Sequence, residues 1–88
     1  MRKLIFSKGS EKRFRKFLER HQNLKTRVKW VFSKLSQDPL DREVGTHKLT
    51  GKLAGQYGAD INFRYRIVFS FDKENIYLIN VGTHDEVY

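Results

Sequence analysis

Apolar residues recur at helical spacing in two consecutive segments of the N-terminal half. The first segment places Phe14, Phe17, Leu18 and His21 at i, i+3, i+4 and i+7, with basic residues at most other positions. The second has the same kind of stripe, and Asp38-Pro39 ends it. The stripe of the second segment consists of Leu24, Val28, Val31, Phe32 and Leu35. The pattern predicts two amphipathic helices in an antiparallel hairpin, preceded by a short strand at residues 3–6 and a cap at Ser7 or Ser10.

The C-terminal half changes to strand patterning. Residues 57–63, 65–71 and 76–81 are rich in β-branched and aromatic residues, with turns around residues 62–64 and 72–75. Residues 40–58 contain four glycines and predict a loop that leads into the first of these strands. The order β-α-α-β-β-β predicts one α+β domain over residues 1–88, a small antiparallel sheet with the two-helix hairpin packed on one face.

Charge is distributed unevenly over the 88 residues. The formal net charge is +8, and twelve of the 18 Lys and Arg residues lie within residues 1–34, together with only Glu11 and Glu19. A basic segment of this kind, residues 1–34, attracts polyanions whatever their own sequence. Nucleic acid, a ribosome surface or an acidic protein are therefore the expected partners. The alternative is a solvated helical surface that only keeps the protein soluble.

Composition excludes several classes of site. The chain has no cysteine, which excludes disulfides, a thiol nucleophile and Cys-based metal centres. Its three histidines show no ligand spacing, so we expect neither a metal nor another cofactor. No apolar run approaches the length of a membrane span, and the first residues do not resemble a signal peptide. We therefore expect a cytoplasmic protein with no membrane partner.

Three polar side chains are predicted to meet at one end of the C-terminal hairpin. Arg66 lies near the start of one strand, and His84 and Tyr88 follow the end of its partner. Arginine offers a fixed fork of donors to a phosphate, and histidine exchanges protons near neutral pH. The combination indicates phosphate chemistry.

The strand Tyr65-Arg66-Ile67-Val68-Phe69, the segment 47–51 (HKLTG) and the ending 81–88 (VGTHDEVY) resemble the RelE/ParE toxin superfamily. Within it the chain looks most similar to the RelE and YafQ mRNA interferases, over essentially its whole length. The resemblance implies the toxin of a bacterial type II toxin–antitoxin pair, which enters the ribosomal A site and cuts mRNA there. It also implies a cognate antitoxin as partner, with operator DNA contacted only through the antitoxin complex.

The resemblance assigns roles by position. Arg66 matches the strand arginine that contacts the scissile phosphate, His84 matches a C-terminal catalytic histidine, and Tyr88 matches the terminal aromatic residue. His47 matches the histidine before Lys-Leu-Thr-Gly-like segments. The chain departs from the YafQ pattern at Asp60 and Arg64, where YafQ has a second histidine and an aspartate.

An RNase that uses the 2′-hydroxyl of its substrate needs a base, an acid and cations for the developing charge. His84 and His47 are the predicted acid and base, and the residues do not say which histidine has which role. We expect Lys48, Lys52, Arg64 and Tyr65 to bind RNA, and Tyr65 or Phe63 to hold an unstacked base. Trp30 and the basic residues of the helices are candidates for contact with the antitoxin or ribosomal RNA.

Three other interpretations remain open. The ParE branch of the superfamily inhibits DNA gyrase and is not an RNase, and fold alone does not separate the two. A noncatalytic RNA-binding module would also use the basic segment. The substitutions at Asp60 and Arg64 are compatible with a toxin that has lost its activity.

Overall fold

The computed structural model describes residues 1–88, which form five strands and three helices. In chain order these elements are β1 (Lys3–Phe6), α1 (Lys8–Arg20), α2 (Lys25–Gln37), β2 (His47–Lys48), β3 (Tyr57–Asp60), β4 (Tyr65–Phe71), β5 (Asn75–Thr83) and α3 (His84–Val87). Short 3-10 turns lie at Gln22–Leu24, Arg42–Val44 and Gly51–Leu53. The α+β class is confirmed.

Both long helices begin and end where local chemistry predicts. The Ser7 hydroxyl accepts a bond from the Ser10 amide at 3.1 Å, and the Ser10 hydroxyl accepts one from the Ser7 amide at 2.9 Å. This reciprocal cap uses both serines that the sequence offered for the role. At the other end of the hairpin, Asp38 is extended and precedes Pro39, which stops α2 after Gln37.

The five strands form one sheet in the order β1-β5-β4-β3-β2. The pairs β2–β3, β3–β4 and β4–β5 are antiparallel, but β1 runs parallel to β5, with Lys3 opposite Asn75. The prediction of a purely antiparallel sheet was therefore wrong for β1. Its four residues do not encode a direction, because two helices and three strands separate β1 from β5 in the chain and their path sets how the two strands meet.

Two short elements were not predicted. Residues 40–58, expected to be a loop, contain the edge strand β2, and the last residues of the chain form α3. Strand β3 ends at Asp60 rather than at residue 63, because residues 61–64 turn the chain into β4.

The helical hairpin covers one face of the sheet and forms a single core with it. Phe14, Val31 and Leu35 from the helices are at most 3% exposed, and Phe69 and Ile76 from the sheet are fully buried. This packing fixes β4 and β5, the strands that lead to the site described next. None of the helices is both long and apolar enough to cross a membrane.

Candidate active site

The β4–β5 hairpin brings three of the predicted residues together. Arg66 of β4 lies opposite Gly82 of β5, and β5 runs directly into α3, which begins at His84. Tyr88 follows four residues after His84 and therefore lies on the same face of this turn. The ring centroids of His84 and Tyr88 are 4.5 Å apart, edge to face. The helix at the end of the hairpin thus fixes the spacing of these two side chains.

A reciprocal cap holds α3 in place. The Thr83 amide donates to Glu86 Oε1 at 2.8 Å, and the Glu86 amide donates to the Thr83 hydroxyl at 3.3 Å. Bonding to Thr83 favours the charged carboxylate and lowers the pKa of Glu86. A Cβ atom at Gly82 would lie 3.0 Å from Glu86 Oε1, so glycine is needed for this close approach. The Gly-Thr-His-x-Glu sequence therefore encodes the position of His84.

Arg66 has two partners in the free protein. Its Nε donates to Asp60 Oδ1 at 3.1 Å across the β3–β4 pair, and its Nη1 donates to His84 Nδ1. A guanidinium group only donates, so Nδ1 of His84 is an acceptor and the ring proton lies on Nε2. Asp60 orients the guanidinium, and Nη2 remains for a ligand.

His47 has the opposite arrangement of ring nitrogens. Its Nδ1 lies 2.9 Å from the carbonyl oxygen of Gly45, which only accepts, so Nδ1 carries the proton. Its Nε2 accepts from the Tyr88 hydroxyl at 3.3 Å. Burial is the main cause that raises the pKa of Tyr88, so this hydroxyl stays protonated at neutral pH and remains a donor.

Gly58 of β3 leaves room for the side chains of His47 and Tyr88. A Cβ atom there would overlap the Tyr88 hydroxyl and lie 3.0 Å from His47 Cε1. No positive φ is involved, so the need for glycine comes only from the approach of the two side chains. Sequence reasoning missed Gly58, because a glycine within a short strand can equally mark a bulge or a bend.

Three of these side chains line a cleft of about 400 Å³, and Arg66 reaches its edge through the contact with His84. His47, His84 and Tyr88 line it directly, together with the cations Lys48 and Lys52. Leu49, Thr50 and Leu53 complete the wall. Two histidines of opposite tautomer, an oriented arginine and two lysines suit proton transfer to and from an anionic substrate.

The other predicted RNA-binding residues lie outside the cleft. Tyr65 packs against Phe17, with ring centroids 5.2 Å apart, and Arg64 lies over the Tyr65 ring at 5.5 Å. Phe63 lies in the β3–β4 turn and is 95% exposed. Trp30 is half-buried beneath Arg27, whose guanidinium carbon is 4.2 Å from its ring centroid. The structure therefore separates these residues from the two histidines.

Solved structures with the same fold cover nearly the whole chain. A copper-bound mutant toxin from Helicobacter pylori is 24% identical, with a TM-score of 0.79 and coverage of 100% of both chains. A chain of the Escherichia coli DinJ–YafQ complex is 18% identical, with a TM-score of 0.80 over 100% of this chain and 99% of that one. A chain of the YoeB–YefM complex from Staphylococcus aureus is 19% identical, with a TM-score of 0.79 over 96% and 98%.

A family model also matches the sequence. Residues 2–88 match the model described as the bacterial toxin of type II toxin-antitoxin system, YafQ. None of the curated proteins matches the chain at a significant level. The family match covers the helical hairpin as well as the cleft, so it does not depend on the C-terminal motif alone.

Proposed function

Because the chain belongs to the YafQ family of type II toxin–antitoxin toxins, we propose that it is a ribosome-dependent endoribonuclease that cuts mRNA in the A site. The reaction is attack of the substrate's 2′-hydroxyl on the adjacent phosphorus, without a metal. It yields a 2′,3′-cyclic phosphate on one fragment and a 5′-hydroxyl on the other, and it stops translation of the cut message.

His47 is the general base in this proposal. Its Nδ1 proton is held by the Gly45 carbonyl, so the lone pair on Nε2 faces the cleft. When RNA enters, the 2′-hydroxyl replaces the Tyr88 hydroxyl as the donor to Nε2 and then gives up its proton there. The hydrogen-bond partners of the two histidines support this assignment of base and acid.

His84 is the general acid. In the free protein Arg66 donates to His84 Nδ1, which leaves the ring N–H group on Nε2. A phosphate in the cleft draws the guanidinium away from Nδ1, and the imidazolium form of His84 then donates from Nε2 to the leaving 5′-oxygen. Arg66 meanwhile stabilises the charge that builds on the phosphate oxygens, while Asp60 keeps it oriented.

The partners follow from family and charge. The DinJ–YafQ and YoeB–YefM complexes each join a toxin to an antitoxin, and we propose a cognate antitoxin for this chain as well. An acidic or amphipathic segment would fit the basic helices and cover the cleft. The ribosome and mRNA are the proposed target, and operator DNA is reached only through the antitoxin complex.

The contact of Arg66 with His84, which lines the cleft together with a second histidine, supports the proposal most strongly. It is tested by primer extension on a defined mRNA in a cell-free translation reaction, with and without ribosomes. We expect discrete cuts that need ribosomes and that disappear with His84→Ala. Arg42→Ala is the matched surface control for Arg66→Ala, because Arg42 is exposed on a 3-10 turn and does not line the cleft.

Chemical analysis of the cut ends completes this test. A 2′,3′-cyclic phosphate and a 5′-hydroxyl support the proposed reaction, whereas a 5′-phosphate would exclude 2′-hydroxyl attack. Intact mRNA together with inhibited DNA supercoiling would instead identify a gyrase inhibitor.

A further inference from the structure

A second cavity, of about 210 Å³, lies on the other side of α3 from the cleft. His84 and Tyr88 face the cleft, whereas Glu86 lines this cavity, as expected for a residue two positions away on a helical turn. Three cations from α1 form its rim, and we call it the basic pocket. These cations are Arg13, Lys16 and Arg20.

The sequence of α1 places these cations on one face. They stand at i, i+3 and i+7, with the buried ring of Phe17 between them. Phe17 packs against His21 at 4.5 Å and Tyr65 at 5.2 Å between ring centroids, and His21 and Tyr65 are 4.6 Å apart. The basic pocket therefore has an aromatic floor beneath a cationic rim, and this floor includes Tyr65, which the sequence proposed for RNA binding.

The positive charge of the pocket is only partly offset within the chain. None of the three salt bridges includes Arg13, Lys16 or Arg20, and Arg13 donates only to the carbonyl oxygen of Ile79, at 3.2 Å. One carboxylate, Glu86, lines the pocket, where it bonds to Thr83 and where the charge of Arg20 helps to lower its pKa, so three cations face a single anion. Arg15, by contrast, pairs with Glu11 on another face of α1. Unpaired cations around a concave site are matched by an anionic ligand.

We propose that the basic pocket binds a phosphodiester of the same RNA strand whose scissile bond lies in the cleft. This inference rests on the proposed function and extends the RNA path across α3. Lys16 and Arg20 contact the phosphate, and the adjoining base lies against the rings of His21 and Tyr65. RNA is favoured over an acidic peptide because an aromatic floor beneath unpaired cations fits a stacked nucleotide.

The test uses two double variants that remove the same charge from α1. Lys16→Ala with Arg20→Ala changes the pocket, whereas Lys8→Ala with Lys12→Ala changes exposed residues that form no salt bridge and do not line it. Arg13 is kept because its side chain contacts β5. Binding of a fluorescein-labelled 2′-O-methyl RNA oligonucleotide, which lacks the attacking hydroxyl, is followed by anisotropy over a range of salt concentrations.

We expect the pocket variant to bind this RNA about tenfold more weakly, with a salt dependence shallower by about 0.7 for each phosphate that the variant no longer neutralises. The Lys8/Lys12 control retains most of its affinity. Equal weakening of both variants would show a general charge effect and overturn the inference. A pocket variant that binds the oligonucleotide normally but sediments less with ribosomes would assign the pocket to ribosomal RNA, and would also overturn it.

Failure of this inference is distinguishable from failure of the proposed function. If cleavage depends on His84 while the pocket variant binds RNA normally, the inference about the basic pocket is wrong and the endoribonuclease proposal stands. RNA binding that depends on Lys16 and Arg20 in a protein that never cuts mRNA would support the pocket and exclude the activity.

Discussion

The two ends of the β4–β5 hairpin use similar residues for different purposes. At the turn, the Asp72 carboxylate accepts bonds from the amides of Glu74 and Asn75 and from the Tyr77 hydroxyl, all between 2.6 and 2.9 Å. At the other end, the Tyr88 hydroxyl and His47 Nε2 are 3.3 Å apart beside an open cleft.

This difference separates a structural cluster from the proposed active site. At the turn end each polar group is satisfied by the chain itself, so the cluster stabilises the fold and has nothing left for a ligand. At the cleft end the polar groups hold one another loosely and can exchange these partners for a substrate. The predictions below test that division.

The largest expected effect is on activity at the cleft end. Arg66→Ala removes the phosphate fork, and we expect mRNA cleavage to fall by about 100-fold or more. The Arg66 side chain is 27% exposed and its ion pair with Asp60 is open to solvent, so the Tm changes only slightly. Cleavage assays and thermal denaturation of the same preparation check both statements. A large fall in Tm with activity retained would make Arg66 a structural residue like Asp72.

The substitution Gly58→Ala is expected to have the next largest effect on activity. The added methyl group overlaps the Tyr88 hydroxyl and also crowds the His47 ring, so both side chains shift in the cleft and we expect cleavage to fall between about tenfold and 100-fold. Gly9→Ala is the matched control, because a Cβ atom at Gly9 has no neighbour closer than 3.9 Å. Equal activity of the two variants would mean that the positions of Tyr88 and His47 do not matter for cleavage.

Tyr88→Phe isolates the hydroxyl from the ring. The ring still packs on His84, so we expect only about a fivefold loss of cleavage, equivalent to about 1 kcal/mol. Because burial raises the pKa of Tyr88, ionisation of the hydroxyl does not reduce wild-type activity below its ordinary pKa of 10.0. A pH–rate profile of both proteins checks this. Loss of wild-type activity below pH 10 that is absent from the variant would contradict it.

The smallest expected effect is on stability at the turn end. Bonds from Tyr77 and the turn amides lower the pKa of Asp72, and the same carboxylate raises the pKa of Tyr77. The stability from Asp72 is therefore complete above pH 3.8 and is lost as pH falls through its lowered value. The stability that Tyr77 contributes is complete below pH 10.0 and is lost as pH rises through the raised pKa of its hydroxyl.

Asp72→Asn removes this contribution, so we expect a lower Tm that varies less with pH than that of the wild type, with cleavage unchanged. Thermal denaturation of both proteins across the pH range measures this dependence of Tm on pH. A pH dependence identical to that of the wild type would show that other groups dominate.

The sequence predicted the parts of the fold that depend on local periodicity and caps. The stripes of both helices, the Ser7 cap and the stop at Pro39 were sufficient for α1 and α2. Strand β2 was not predictable, because its two residues show no alternation and it exists only by pairing with β3. Helix α3 had a readable signal, since Thr83 and Glu86 form a capping box three residues apart.

The sequence predicted which residues form the site, but not how they are arranged. Motifs named Arg66, His84, Tyr88 and His47, whereas the tautomers of the histidines follow from contacts with Gly45 and Arg66 that only the folded chain makes. Separation of Tyr65 from the cleft, by contrast, could have been predicted, because Tyr65 and Arg66 are neighbours on β4 and neighbouring residues on a strand point to opposite faces.

The parallel pairing of β1 with β5 joins residues that are far apart in the chain, since Lys3 lies opposite Asn75. During synthesis, β1 has no partner until β5 has been made, and the helices cannot complete their packing before then. The topology therefore delays completion of the fold, including the hairpin end that carries Arg66 and His84, until β5 has been made.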